Sequence, residues 1–296
     1  MKAVFLGTGS MVPTAQRNHS AIFLTYKNEG LLFDCGEGTQ RQFRIGKIKP
    51  TKITKILISH WHGDHVLGLP GLIQTLGANE YSGILEIYGP EGTKQRVKQM
   101  LGSFIMEEKV RLKVSDVGKG IFYEDENFAL EAIPLSHSTP CLAYAFIEKD
   151  KRKIDLAYLK KYGLKKHPVL KQLQQGRDIE WQGKKIKAEK ATLLKRGRKF
   201  VYIADTVLCE NAIRIAKDAD VLVSESTLEG GMEEKAGKIG HMTCCQAAEI
   251  AKRANAKKLV LTHFSQRYKS VSELKKQAKK IFPKTEAAKD FMEIVI

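Results

Sequence analysis

Three histidines and an aspartate lie within six residues of this chain, in the sequence H-W-H-G-D-H that directly follows an apolar β run. So much polarity beside an apolar strand is costly unless the side chains bind something. Imidazole and carboxylate are ligands that zinc prefers, and in an extended turn His60 and His62 point to the same side. Gly63 lets the backbone turn tightly, so that Asp64 and His65 can face a second ion. The cluster predicts a two-metal site whose other ligands arrive from distant parts of the chain.

The remainder of the chain alternates between β runs and stretches with helical spacing. An N-terminal antiparallel meander is predicted from the apolar runs KAVFLGTGS, AIFLTY and GLLFDCGEG. Further strands are predicted at KITKILISH, FALEAIPLSH, KFVYIAD, VLVSES and KLVLTH. Helices are predicted at VLGLPGLIQTLGAN, EGTKQRVKQMLGSF, ENAIRIAKDA, TCCQAAEIAKRA and SVSELKKQAKKI. This alternation favours a layered α/β protein.

Three further polar residues each follow a predicted strand: His137, Asp205 and His263. Sites in α/β proteins collect at the carboxyl ends of strands. Any one of these side chains could instead be a satisfied buried polar group. Because all three share one kind of position, we expect them at the metal site.

Composition indicates a soluble cytoplasmic protein. The chain has 296 residues and is 43% hydrophobic, enough to bury a sizeable core. Its apolar N-terminus is broken at Gly7, too early for a signal peptide, and no apolar run is long enough to span a membrane. The five cysteines form no C-x-x-C pair, so we expect reduced thiols. The G-T-G-S segment lacks the remaining residues of nucleotide-binding fingerprints, so it predicts a tight turn and no nucleotide cofactor.

The charge of the chain is concentrated in one stretch. Lys and Arg number 50 and Asp and Glu 33, a formal net charge of +17. A lysine-rich solvated surface and an anionic partner both explain such an excess. Residues 148–190, however, hold fourteen Lys and Arg against six Asp and Glu. We therefore interpret this stretch as an inserted basic arm, with a small helix at DLAYLKKYG and a hairpin at DIEWQGKKIKA.

Several motifs together resemble one family. H-W-H-G-D-H matches the HxHxDH motif of the metallo-β-lactamase superfamily. The chain is similar to ribonuclease Z, the tRNA 3' processing endonuclease, in FLGTGSMVPTAQRN, FDCGEGTQRQ, SHWHGDHVLGLPGLIQTL, the A-D-T at 204–206, SESTLEGG through GHMT, and LTHFSQRY. The resemblance implies a single α/β domain over 1–296 with the metallo-β-lactamase fold, a four-layer αββα sandwich, from which the arm at 148–190 is inserted.

The resemblance also implies the metal ligands of two Zn²⁺ ions. One ion would be held by His60, His62 and His137, and the other by Asp64, His65 and His263. Asp205 would bridge them. Asp34, at the end of GLLFD, is expected to orient the site, as carboxylates beside ligating histidines do.

The implied reaction is hydrolysis of a phosphodiester bond. Two zinc ions can share a water and lower its pKa toward about 7. Asp64 could then take the remaining proton, while His241 and Glu225 match positions linked in the family to proton donation. The resemblance implies a 3' hydroxyl on the tRNA and a phosphate on the released trailer.

The inserted arm of short ribonuclease Z proteins grips the tRNA elbow, and these proteins are commonly homodimers in which one subunit's arm reaches the tRNA of the other. The matching arm residues expected to bind precursor tRNA are Lys151, Arg152, Lys153, Lys160, Lys161, Lys165 and Lys166. The family's Gly-Pro pair is replaced by His167-Pro168, which leaves the arm's conformation open. His167 itself is expected at the surface.

Two other interpretations compete with this one. The first is another hydrolase on the same scaffold, such as a thioesterase or a lactamase, because a fold does not fix a function. The second is an RNA-binding protein whose zinc ions are structural. The basic arm argues against the first, and the lack of a cysteine-rich closed site argues against the second.

Overall fold

A computed structural model of the chain describes residues 1–105 and 107–296. Two compact units are present. The first comprises Met1–Tyr123, Leu130–Phe146 and Lys199–Ile296, and the second comprises Glu124–Ala129 and Ile147–Arg198. The second unit thus extends beyond the predicted arm boundaries of 148–190 at both ends.

One seven-stranded sheet contains the N-terminal strands. Numbered in chain order with all other strands, its members are β1 (Lys2–Gly7), β3 (Ala21–Tyr26), β4 (Glu29–Phe33), β5 (Lys55–Leu57), β6 (Ile84–Gly89), β7 (Arg111–Asp116) and β20 (Glu293–Val295). Their order is β20-β1-β3-β4-β5-β6-β7. The pairs β1–β3 and β3–β4 are antiparallel, which confirms the predicted meander. From β4 to β7 all pairs are parallel.

A second seven-stranded sheet has the order β19-β17-β16-β15-β10-β9-β8. These strands are β8 (Gly120–Glu124), β9 (Phe128–Pro134), β10 (Leu142–Glu148), β15 (Lys199–Ile203), β16 (Val221–Glu225), β17 (Leu259–Thr262) and β19 (Thr285–Ala287). Strands β15, β16, β17 and β19 run parallel to one another. The mostly apolar sequences of β15, β16 and β17 are typical of strands that are covered on both faces. Two short strands, β2 (Gly9–Ser10) and β18 (Phe264–Ser265), also pair in parallel.

The helices of the first unit lie mostly where sequence spacing predicts them. They are α1 (Thr39–Ile45), α2 (Gly63–Val66), α3 (Leu69–Ala78), α4 (Thr93–Gly102), α8 (Glu210–Ala216), α9 (Glu233–Lys238), α10 (Cys244–Arg253) and α11 (Ser272–Ile281), with a 3₁₀ turn at Pro50–Lys52. The helix predicted from Val66 is interrupted between α2 and α3. A Cβ at Gly68 would lie 2.1 Å from the Gly36 carbonyl oxygen, so glycine is required at this close approach.

The first unit has four layers. Side chains of α1, α3 and α4 pack with the first sheet in one apolar cluster that includes Phe43, Leu72 and Val97. The two sheets face each other through aromatic rings, since Phe33 on β4 lies 5.4 Å from Phe200 and 5.8 Å from Tyr202 on β15. Helices α8 and α10 contact β15, β16 and β17 on the second sheet. This arrangement is the predicted αββα sandwich.

The second unit folds around an apolar core of its own. Its strands are β11 (Lys151–Ile154), β12 (Ile179–Trp181), β13 (Lys184–Ile186) and β14 (Thr192–Lys195), and its helices are α5 (Leu156–Lys160), α6 (Leu170–Gln174) and α7 (Ala188–Ala191). β11 pairs with β14, and β12 pairs with β13, both antiparallel. The predicted small helix and hairpin are therefore present. The core is formed by buried Leu159, Leu164, Leu173, Ile179 and Ile186, with Ala188 and Ala191.

Among residues 1–105 and 107–296, no helix combines the length and the apolar character that crossing a membrane demands.

Candidate active site

The H-W-H-G-D-H turn begins three residues after β5 ends. His60 is fully buried, and His62 occupies the residue before α2 with an extended backbone. The two rings converge, with His60 Nε2 at 3.1 Å from His62 Nδ1. Asp64 and His65 lie within α2, one turn further on. The strand end and the short helix thus present the histidines and the aspartate toward one region.

One group of potential ligands combines this turn with two loops of the second sheet. His60, His62, His137 and Asp205 place one ligand atom each within 4.8 Å of all the others. His137, three residues beyond β9, has its Nε2 at 3.2 Å from His62 Nδ1. Asp205, two residues beyond β15, has its Oδ2 at 3.5 Å from His60 Nε2.

A second group consists of Asp64, His65 and His263, again within 4.8 Å of one another. His65 Nε2 lies 3.2 Å from His263 Nε2, and Asp64 Oδ2 lies 3.4 Å from His65 Nε2. Asp205, a member of the first group, also faces the second group. Its Oδ2 is 3.5 Å from His65 Nε2, and its Oδ1 is 3.3 Å from His263 Nε2. The structure therefore brings together all seven residues predicted as ligands.

The chemistry of these atoms fits a divalent cation. Nδ1 of His65 donates a hydrogen bond to Asp34 Oδ2 at 2.7 Å, and Nδ1 of His137 donates to the Gly240 carbonyl oxygen at 2.8 Å. With the proton held there, the inward Nε2 atom of each ring carries a lone pair, as a metal ligand must. Asp205 Oδ1 is buried and has no hydrogen-bond partner among the described residues. Imidazole and carboxylate in this arrangement suit zinc.

Burial and close charges shift the pKa values of this cluster in opposite directions. Burial lowers the pKa of His60, and the neighbouring His65 lowers it further. Burial alone would raise the pKa of Asp205, but the neighbouring His263 and His65 hold it well below its ordinary range. The site therefore favours an ionised carboxylate beside a neutral His60.

Asp34 lies at the end of β4 and is fully buried. Its Oδ2 accepts hydrogen bonds from His65 Nδ1 at 2.7 Å and from Tyr202 Oη at 2.8 Å. Ser59 donates twice, from its backbone N–H at 2.7 Å to Oδ1 and from its hydroxyl at 2.8 Å to Oδ2. Asp34 is thus positioned to hold the His65 ring in one orientation.

His241 and Glu225 lie next to the two ligand groups. Glu225 is fully buried at the end of β16, and its Oε1 accepts from His241 Nδ1 at 3.1 Å. The His241 ring stacks on His263 at 5.5 Å and lies 5.4 Å from His137. Burial alone would lower the pKa of His241, but the charge and hydrogen bond of Glu225 raise it to about 9. The pair can therefore keep a proton on His241 at neutral pH.

Three side chains and a backbone group that contact the site were not predicted from the sequence. Tyr202 and Ser59 donate to Asp34, and Thr227 Oγ1 lies 2.7 Å from Glu225 Oε2. The backbone N–H of Met11 donates to Asp64 Oδ2 at 2.8 Å. Ser59 precedes His60, and Thr227 follows Glu225 by two residues, so adjacency in sequence was the only signal.

The arm residues predicted to bind RNA lie in the second unit. Lys151, Lys153, Lys160, Lys161, Lys165 and Lys166 are exposed. Arg152 is half-buried, and its Nη1 donates to Thr192 Oγ1 at 3.2 Å, so this side chain is engaged within the unit. His167 is exposed as expected, with its ring 4.7 Å from that of Trp181.

Comparison with known proteins agrees with the fold. A family model described as "Beta-lactamase superfamily domain" matches residues 168–264, and one described as "Anti-Pycsar protein Apyc1" matches residues 1–139. The crystal structure of the metallo-β-lactamase fold protein YhfI from Bacillus subtilis, 20% identical, superposes with a TM-score of 0.71 over 99% of this chain and 98% of that one. The fold and the family match define a protein of the metallo-β-lactamase superfamily, with histidines and aspartates clustered at one site.

More similar proteins narrow this class. Ribonuclease Z of Methanothermobacter thermautotrophicus is 39% identical, covering 100% of this chain and 97% of its own length. Ribonuclease Z of Bacillus licheniformis is 41% identical over 99% and 98%. The crystal structure of the short form of human tRNase Z, 30% identical, superposes with a TM-score of 0.74 over 100% and 99%. The chain belongs to the ribonuclease Z family and is an endoribonuclease.

Proposed function

We propose that this protein is a zinc-dependent endoribonuclease that removes the 3' trailer from precursor tRNA and leaves a 3' hydroxyl on the tRNA. The observation that carries the proposal is the convergence of seven potential ligand side chains, from one turn and three strand ends, into two groups, with Asp205 Oδ2 at 3.5 Å from a histidine of each. The full-length similarity to ribonuclease Z proteins supports the substrate. The proposed place of action is the cytoplasm, in keeping with five free cysteines.

The proposed ligands follow the two groups. His60, His62 and His137 would hold one ion, Asp64, His65 and His263 the other, and Asp205 would face both. When bound, two zinc ions supply Lewis acidity and lower the pKa of water toward about 7.

The side chains around the ions would handle the protons. Asp64, held by the Met11 N–H, would accept the proton of the attacking water. His241 would give a proton to the leaving oxygen, because Glu225 anchors its Nδ1 and raises its pKa to about 9, so that the ring is charged below that pH. Asp34 would hold His65 in the tautomer that ligation requires.

The second unit would bind the body of the precursor tRNA. Its exposed lysines would contact backbone phosphates, which attract cations without regard to sequence and so suit an enzyme that accepts many tRNAs. In the homodimer that the resemblance implies, one subunit's arm would hold the tRNA that is cut by the other subunit.

A cleavage assay on precursor tRNA, with and without a chelator, tests the activity. We expect release of an intact trailer, loss of release with the chelator, recovery with zinc, and a 3' hydroxyl on the tRNA. Binding without cleavage would favour a structural zinc protein, and hydrolysis of a thioester or β-lactam instead of RNA would favour the other hydrolase interpretation. A 3' phosphate on the tRNA would contradict the proposed chemistry.

Shortening the second unit tests its role. Lys151 on β11 faces Lys195 on β14, so a two-residue Asn-Gly turn can replace residues 152–194. We expect the KM for precursor tRNA to rise far more than the KM for a small phosphodiester such as bis(p-nitrophenyl) phosphate. Equal losses for both substrates would argue against an RNA-binding arm.

A further inference from the structure

A buried threonine hydroxyl lies between a carboxylate and a histidine of the second ligand group. Thr227 Oγ1 is 2.7 Å from Glu225 Oε2 and 3.0 Å from His263 Nδ1. The backbone N–H of Thr227 also donates to Glu225 Oε2, at 3.2 Å. All three residues are buried, so no water competes for these contacts.

A serine hydroxyl occupies the equivalent place at the first ligand group. Ser59 Oγ is 2.8 Å from Asp34 Oδ2 and 3.0 Å from His60 Nδ1. Its backbone N–H donates to Asp34 Oδ1 at 2.7 Å. Ser59, Asp34 and His60 are each fully buried. The same arrangement of a hydroxyl, a carboxylate and a histidine thus occurs twice, once beyond the carboxyl end of β5 in the first sheet and once beyond that of β16 in the second.

The number of available protons determines to which partner each hydroxyl donates its hydrogen bond. Glu225 is surrounded by donors, because the backbone N–H groups of Thr206 and Met242 point to its Oε1 at 3.0 and 3.2 Å. A hydroxyl has one proton to donate and two lone pairs, and a carboxylate only accepts. The Thr227 proton therefore points to Glu225, and its oxygen accepts from the Nδ1–H of His263. The same reasoning directs Ser59 toward Asp34 and leaves its oxygen to accept from His60 Nδ1–H.

We propose that Ser59 and Thr227 are positioning residues, each linking a buried carboxylate to a ligand histidine and fixing the tautomer whose Nε2 lone pair faces the metal site. Each carboxylate then orients two rings. Asp34 holds His65 directly and His60 through Ser59. Glu225 holds His241 directly and His263 through Thr227. This inference rests on the proposed ligand set.

One consequence separates this role from ordinary packing. Without the hydroxyl, His263 would lose its only acceptor at Nδ1 among the described contacts, and its proton could move to Nε2, where it blocks ligation. Partners of ligating residues typically contribute about 10–100-fold to metal affinity. A hydroxyl that only filled space would leave both the tautomer and the affinity unchanged.

The test measures zinc affinity by competition with a chromophoric chelator, on the full chain and without RNA. Thr227→Val keeps the side-chain shape and removes the hydroxyl, whereas Thr227→Ser keeps the hydroxyl. Ser59→Ala removes the hydroxyl beside His60. Thr285→Val is a matched control, since Thr285 is equally buried but donates to the Phe282 carbonyl, away from the ligand groups. ¹⁵N NMR of the histidine rings reports which nitrogen carries the proton.

We expect Thr227→Val and Ser59→Ala to weaken zinc binding by about 10–100-fold, with Thr227→Ser and Thr285→Val close to the parent. The NMR spectrum of apo Thr227→Val should show a larger share of the Nε2–H form of His263. Parent-like affinity in Thr227→Val and Ser59→Ala, or an equal loss in Thr285→Val, would overturn the proposal. If Thr227→Val does not fold, Ser59→Ala decides alone. If the parent failed to cut RNA, the proposed function would be contradicted. The measured changes in zinc affinity would still decide the roles of Ser59 and Thr227.

Discussion

At the scale of single residues, His241 gives the sharpest prediction. Removing a positioned general acid typically slows turnover by about 10²–10⁴-fold. We expect His241→Ala to lose activity in that range on precursor tRNA while keeping the parent's zinc content, because the two proposed ligand sets are complete without it. Single-turnover kinetics and elemental analysis check both parts.

The zinc measurement distinguishes two roles that geometry permits. His241, Asp205 and His263 also place ligand atoms within 4.8 Å of one another. Loss of one zinc equivalent in His241→Ala would make His241 a ligand instead of an acid. Unchanged turnover would remove it from the mechanism altogether.

Residues of the site differed in how visible they were in the sequence. The four polar residues of H-W-H-G-D-H are neighbours in the chain, so their chemistry can be inferred locally. His137, Asp205 and His263 required the strand-end rule together with the family resemblance. Tyr202 could not be found, because its contact with Asp34 depends on how β15 of one sheet meets β4 of the other. Nothing in the spacing of a tyrosine encodes that meeting.

At the scale of elements, one buried lysine links three parallel strands of the first sheet. Lys55 on β5 is 4% exposed, and its Nζ lies 2.9 Å from Glu29 on β4 and 3.2 Å from Glu86 on β6. Burial would lower the pKa of Lys55, but the hydrogen bond and charge of Glu29 raise it. Because a shift of one residue would bring other side chains opposite, these contacts help to fix strand register.

Replacing this lysine should therefore destabilise the fold. Removing one partner of a buried ion pair typically costs about 3–5 kcal/mol, so we expect Lys55→Met to lower the free energy of unfolding by that order at pH 7. Lys113→Met is the matched control. Lys113 contacts the same Glu86 at 2.9 Å but is 62% exposed, and its loss should cost less than about 1 kcal/mol. Urea titrations measure both, and equal effects would contradict the argument.

The decrease in the free energy of unfolding caused by Lys55→Met should also depend on pH. Burial would raise the pKa of Glu86, but Lys113 and Lys55 hold it below its ordinary value of 4.5. The stabilisation is therefore present above pH 4.5 and disappears as the pH falls through the lower folded value. The difference in the free energy of unfolding between parent and Lys55→Met should narrow in acid, and a difference that stays constant down to the lowest pH at which both proteins remain folded would contradict this.

Elements with strong patterns were predicted better than weak ones. The strand KITKILISH is shorter than predicted, since β5 ends at Leu57 and the following residues turn toward the site. Strands β7 and β8 were not predicted, because both lie at a sheet edge and none of their residues is fully buried, so they lack a strong apolar pattern. Strand β10 was not predicted either, since its leucine and alanines suit helices equally well.

At the scale of the whole molecule, we expect the placement of charge to matter more than the total charge for binding precursor tRNA. We expect the KM for precursor tRNA to rise steeply with salt, and the log–log slope to fall by up to about 3 when Lys160, Lys165 and Lys166 become Gln, about 1 per phosphate contact. The same change at Lys276, Lys279 and Lys280, exposed on α11, removes equal charge and should change the slope less. Equal slopes in the two triple variants would show that only net charge counts.

The global arrangement was only partly available from the sequence. Alternating strands and helices favour an α/β protein, but the sandwich came from the family resemblance. The order of strands in each sheet depends on crossovers that hydrophobic patterning does not specify. The basic stretch was visible as charge. The separate apolar core of the second unit was not predicted, because Leu159, Leu173 and Ile186 are scattered among lysines in the sequence.

The paired strands β11 and β14 make the ends of the arm neighbours, since Lys151 lies opposite Lys195. A segment that leaves and returns at one point, and that has an interior of its own, can be lengthened, trimmed or exchanged as a cassette. Changes in length or sequence within this segment can therefore alter the surface it exposes while the histidine and aspartate groups of the first unit stay unchanged.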